Sequence, residues 1–93
     1  MSLPSAAAVR MQQLLSERFH PSHLEVRDDS AAHARHASAG GKGHFRVRIV
    51  SLDFSGLKLL QRHRLVNEAL APLFESCVHA VALETLTPEE YIK

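Results

Sequence analysis

Apolar positions near the start of the chain recur at helical spacing. Val9, Met11, Leu14, Leu15 and Phe19 are mostly three or four residues apart and would share one stripe. Ser5, just after Pro4, is suited to cap this helix, and His20-Pro21 should end it because proline disfavours helical geometry in the residue before it. Leu24, Val26 and Asp28 then alternate with Glu25 and Arg27, which predicts a short strand. The clearest strand follows later, where Phe45, Val47 and Ile49 alternate with His44, Arg46, Arg48 and Val50. A second helical stripe, Leu59, His63, Val66, Leu70 and Leu73, has spacings of four, three, four and three, with Pro72 near its end. A short helix or turn near Leu57–Leu60 is expected to precede it. Val78 to Leu83 form a third, apolar strand that extends towards Thr85. Thr87-Pro88-Glu89-Glu90 reads as a helix start, with Thr87 as N-cap, Pro88 at the first helical position and Tyr91 folding back on the body.

The predicted order is α-β-β-α-α-β-α. Two strands that can form a hairpin, followed by a helical crossover to a third, indicate an α+β sandwich with one helical face. The 93 residues suit one domain, with a core over about 5–91. A domain of this size buries roughly 60–65% of the surface that its unfolded chain exposes, enough for one modest core. Residues 30–43, rich in Ala, His, Ser and Gly, carry no apolar stripe and read as a long flexible loop.

Composition narrows the function classes. Apolar residues make up 45% and charged residues 23%, as in ordinary globular proteins. The net charge of +1 lacks the strong basic excess common in nucleic-acid binders, although a local basic patch stays open. Cys77 is the only cysteine, so the chain can form no disulfide within itself, which fits a reducing compartment. No apolar run approaches the roughly 20 residues that span a bilayer. The start lacks a charged segment followed by an apolar core, and only one arginine occurs up to Arg10, which argues against secretory and transit segments. The expectation is a cytoplasmic protein without membrane association.

Seven histidines direct the search to imidazole, which suits borderline metals and changes charge near neutral pH. His79 stands in the apolar run Cys77-Val78-His79-Ala80-Val81, where the simplest reading is a core histidine with both ring nitrogens hydrogen-bonded. Cys77, two residues earlier, would share its strand face but reads as a small buried thiol. His63 falls on the apolar stripe between Arg62 and Arg64 and reads as a half-buried structural residue, the arginines pointing elsewhere. His44 reads as structural or edge-exposed, and His20 and His23 carry no motif. His33 and His36 lie in the long loop. No nucleophile elbow, phosphate loop, zinc motif or paired carboxylates occur, so no enzyme is expected.

Six segments in order change this picture: Ser30-Ala31-Ala32-His33, Gly43-His44-Phe45-Arg46-Val47, Phe54-Ser55-Gly56, Gln61-Arg62-His63-Arg64-Leu65-Val66-Asn67, Val78-His79-Ala80 and Thr87-Pro88-Glu89-Glu90-Tyr91. Together, from about Val9 to Tyr91, they resemble the BolA family. The resemblance implies a fold related to the class II KH domain, with a three-stranded mixed sheet and helices packed on one face. It implies a non-enzymatic adaptor in iron–sulfur cluster trafficking or iron regulation. Its partner would be a monothiol glutaredoxin, with which it forms a heterodimer and co-ligates a bridging [2Fe–2S] cluster. The ligand positions fall on His79 and on His33, with His36 as the competing loop ligand. The glutaredoxin cysteine and glutathione would supply the sulfur ligands. Free of its partner, the chain would be a monomer holding no cluster.

The KH relationship also raises a second reading, a DNA- or RNA-binding transcriptional regulator. Gly56-Leu57-Lys58-Leu59 lacks the second glycine of the Gly-x-x-Gly loop that clamps a nucleic-acid backbone. Arg62, Arg64 and Lys58 remain the candidate nucleic-acid or partner contacts, with Arg46 and Arg48 able to extend a basic surface.

Overall fold

A computed structural model of the chain describes residues 5–29 and 43–92. Its elements run α1 (Ala6–Phe19), β1 (His23–Asp28), β2 (Gly43–Val50), a 3-10 turn (Leu52–Phe54), α2 (Leu59–Phe74), β3 (Val78–Leu86) and α3 (Pro88–Ile92). The sheet order is β1-β2-β3, with β1 antiparallel and β3 parallel to the central β2. This is the α+β arrangement expected from the element order, with the three-stranded mixed sheet that the resemblance implies. The parallel pair requires a crossover, and α2 provides it.

Local chemistry sets the helix ends. The Ser5 hydroxyl accepts a hydrogen bond from the Ala8 amide at 3.1 Å, which satisfies one of the unpaired donors of α1. His20 closes α1 in the left-handed region, at φ 46°, and its amide donates to the Ser16 carbonyl. Thr87 and Glu90 form a reciprocal capping box at α3. The Thr87 amide donates to Glu90 Oε1 at 2.8 Å and the Glu90 amide to Thr87 Oγ1 at 3.2 Å.

The core lies between the helices and one face of the sheet. From α1 come Ala8, Met11, Leu15 and Phe19, from β2 Phe45, Val47 and Ile49, and from α2 Val66, Leu70 and Leu73. Full burial of each large apolar side chain contributes about 1.5–3 kcal/mol. Phe54 from the 3-10 turn joins them, its ring centroid 5.3 Å from that of Phe19. The buried Ser51 hydroxyl fastens this corner by donating to the Phe19 carbonyl at 3.0 Å and accepting from the Asp53 amide at 3.1 Å.

Three expectations change. The short helical turn occupies Leu52–Phe54 rather than Leu57–Leu60, because Ser51 caps it and Gly56 then reverses the chain at φ +78°. The predicted stripe of α2 begins too early: Leu59 is 60% exposed and Leu60 62%, so the buried face starts only after the first turn. β3 runs to Leu86 and has one buried side, its outward positions being His79, Ala80, Ala82 and Glu84. Its small alanines and single-sided burial suit the end position of β3 in the sheet. The loop expected over 30–43 lies outside the described residues except for Gly43, which already belongs to β2.

Candidate ligand site on the open sheet face

A register irregularity at the start of β3 places His79. Gly43 pairs with Val78, but His44 pairs with Ala80, so His79 is an extra residue opposite no partner. Such a bulge breaks the alternation of side chains. Val78 points into the core at 1% exposure, His79 and Ala80 are both exposed, and Val81 turns inward again to pack on the core. The core-histidine reading of His79 is therefore corrected: the imidazole faces solvent.

The bulge brings His79 beside a residue that the sequence did not single out as a ligand. The His44 ring centroid is 5.1 Å from that of His79, with 55° between the ring planes. Cys77 does not join them. It precedes the strand and packs half-buried against the core, so the face shared by residues two apart on a strand does not apply. His33 and His36 lie outside the described residues. His63 is half-buried on α2, as its place on the stripe suggested, and its Nε2 has no hydrogen-bond partner among the described residues.

The rest of the open face is a lattice of paired charges. His23 Nε2 lies 2.8 Å from Glu25 Oε2, and Arg48 bridges Glu25 on β1 and Glu84 on β3. Asp29 pairs with Arg27 at 3.1 Å and with Arg46 at 3.6 Å. The hydrogen bond from His23, with the nearby Arg48 and Arg27, holds the Glu25 carboxyl below its usual range. Glu84 raises the Arg48 guanidinium further. Arg46 and Arg48 are thus matched by carboxylates and add little net positive field. His23 also stacks on Tyr91, with centroids 5.0 Å apart and 22° between planes, so a histidine without any motif anchors α3.

Arg62 is corrected from a surface contact to an internal tie. Its side chain is only 12% exposed. It donates to the Leu57 carbonyl at 3.0 Å, the Thr85 carbonyl at 3.1 Å and the Glu90 carboxylate at 2.7 Å. Lys58 and Arg64 are exposed and make no ion pair among the described residues.

The described donor set is a pair of imidazoles, His44 and His79, on neighbouring strands. Among the described residues, no three His, Cys, Asp or Glu side chains converge. An exposed imidazole on a paired strand can still offer one nitrogen to a group held mainly by another molecule. Among those residues no helix is long and apolar enough to cross a membrane.

A three-stranded mixed sheet with α1 and α2 on one face and the exposed His79 beside the half-buried His44 on the other defines a class of small α+β domain rather than an individual protein. Its fold matches the BolA domain of SufE1 from Arabidopsis thaliana with a TM-score of 0.83 and 36% identity, over 95% of this chain and 99% of that one. The chain is 44% identical over 88 residues to human BolA-like protein 1, covering 95% of this chain and 61% of the relative. It thus spans about three fifths of that relative's length. It is 40% identical over 82 residues to the DNA-binding transcriptional regulator BolA of Escherichia coli strain K12, covering 88% of this chain and 76% of that protein. The family description "BolA-like protein" matches residues 15–90. The chain belongs to the BolA-like protein family.

Proposed function

We propose that this chain is a non-enzymatic adaptor that binds a monothiol glutaredoxin and supplies imidazole ligation to a bridging [2Fe–2S] cluster. The observation that carries the reading is the outward-facing His79 on its bulge. A ligand for a group shared between two proteins must project from the surface, yet be fixed enough to lose little entropy on binding. His79 meets both needs, because the paired residues on either side of it, Val78 and Ala80, hold its backbone while its ring faces solvent. The cluster is either the cargo that is passed on or the signal read in iron regulation. With one cysteine in the chain, the sulfur ligands come from the glutaredoxin and glutathione. Mixed histidine and sulfur ligation raises the reduction potential above that of an all-cysteine site, as in Rieske centres.

The second ligand is assigned to His33, with His36 three residues on as its competitor. The test mixes the chain with cluster-loaded monothiol glutaredoxin and follows visible absorption, circular dichroism and size. The expected result is a heterodimer with altered spectra, lost in His79→Ala and weakened in His33→Ala. Unaltered spectra with no heterodimer overturn the reading. A silent His33→Ala with a destructive His36→Ala moves the loop ligand.

Regulation through DNA is the second reading, favoured by the name of the Escherichia coli relative and by the exposed Lys58 and Arg64. Salt-dependent DNA binding that weakens in Arg64→Glu would support it, because phosphate contacts release counterions. Absence of binding at low salt removes it.

A further inference from the structure

We propose that His44 and His79 form a two-imidazole site for a borderline divalent cation, zinc, on the chain free of any partner. The site shares His79 with the proposed cluster ligation but does not depend on it.

The geometry is suited to the ion. Zinc binds imidazole nitrogen at about 2.0–2.1 Å in tetrahedral sites, which puts the centroids of two such rings roughly 5 Å apart. The His44 and His79 centroids are 5.1 Å apart without any ion. Their planes are inclined by 55°, so the rings are not stacked flat, and modest side-chain rotation can aim a nitrogen from each at one point. The two residues come from adjacent hydrogen-bonded strands, and the Gly43 amide donating to the Cys77 carbonyl at 3.0 Å secures the end of the ladder beside them. The backbone separation is therefore fixed before metal arrives. Extending the register of Ala80–Leu86 back by one residue would set His79 opposite the buried Gly43; the bulge gives that place to Val78 and leaves His79 exposed.

The ligand chemistry selects the metal. Two neutral imidazoles suit zinc, copper or nickel, whereas magnesium and calcium require oxygen donors. Neither Cys77, packed against the core, nor any third side chain among the described residues completes a closed structural site. Two positions on the ion are thus left to water or an external ligand, as in open zinc sites. Such an ion is exchangeable and would be displaced when a partner claims His79.

The test titrates zinc chloride into the full chain without glutaredoxin, by calorimetry and by the histidine ring resonances. One zinc per chain is expected, with the His44 and His79 ring signals moving together. Loss of a ligand must cost at least as much as loss of a ligand's hydrogen-bond support, about 10–100-fold in affinity. His44→Ala, His44→Gln and His79→Ala should each weaken binding by at least that factor, while Cys77→Ser and the His33→Ala/His36→Ala double variant bind as the parent does. The amide spectrum of each variant verifies folding, and His44→Gln keeps a polar side chain at the half-buried position. Parent-like affinity in folded His44→Ala or His44→Gln overturns the site, as does abolition of binding by the loop variant alone. Because no glutaredoxin is present, failure here leaves the adaptor reading standing, and failure of heterodimer formation leaves this site standing.

Discussion

Arg62 and Glu90 are joined across 28 residues by two hydrogen bonds, Nη1 to Oε1 at 2.7 Å and Nη2 to Oε2 at 3.3 Å. The same guanidinium holds the Thr85 carbonyl of β3 and the Leu57 carbonyl ahead of α2. One side chain therefore ties the start of α2, the end of β3 and α3. Planar, five-donor geometry is required for this, so lysine is no substitute.

Arg62→Leu leaves these acceptors without their donor in a partly buried setting. We expect a loss of about 1–3 kcal/mol in unfolding free energy, measured by urea denaturation. Arg64→Leu, at an exposed site, should change stability by no more than about 0.5 kcal/mol. Equal effects from the two variants would restore Arg62 to the surface.

Glu90 gives the same tie a pH signature. Arg62 donates to the charged carboxylate, as does the Thr87 amide, and these hold its pKa at about 2 against the usual 4.5. A carboxyl depressed in the folded state stabilises it fully above the unfolded value, and loses that contribution as pH falls through the folded value. Stability should therefore decline as pH falls from about 4.5 towards 2, and Glu90→Gln should flatten part of that decline. Superimposable acid limbs for the two proteins would contradict the assignment.

Gly56 adopts φ +78°, and a Cβ added there would meet no heavy atom within 4 Å. Its role is conformational and not steric. Gly56→Ala should cost about 1–2 kcal/mol through backbone strain alone. His20 is the opposite case, a side chain held at φ 46°, and His20→Gly should stabilise α1. Thermal unfolding of the two variants should shift in opposite directions.

Two leucines of α2 separate burial from pattern. Leu70 is wholly buried and Leu59 is 60% exposed, although both lie on the stripe read from the sequence. Leu70→Ala should cost about 2–5 kcal/mol, whereas Leu59→Ala should stay within about 0.5 kcal/mol. A large loss from Leu59→Ala would mean that the first turn of α2 is packed.

Much of the fold is written in short-range pattern. Ser5, Pro21, Thr87 and Pro88 act within four residues of themselves, and the alternation around Phe45, Val47 and Ile49 follows from strand geometry alone. These signals are legible because capping and side-chain period do not depend on distant partners. The six sequence segments from Ser30-Ala31-Ala32-His33 to Thr87-Pro88-Glu89-Glu90-Tyr91, taken in their order along the chain, carried the family resemblance in the same way. The side-chain environments that matter for function were decided elsewhere. Val78 and Val81 both face the core although three residues apart, a break in alternation that the apolar run Val78 to Leu83 does not show. Only pairing of β3 with β2 put the extra residue at His79 and turned its ring outward beside His44. Arg62 likewise reads as surface charge until Glu90 and Thr85 arrive from distant sequence to bury it. Local sequence determined which elements form, through capping, turn and period. Tertiary structure decided which polar groups face solvent, because exposure depends on strand register and on partners that meet only when the chain is folded.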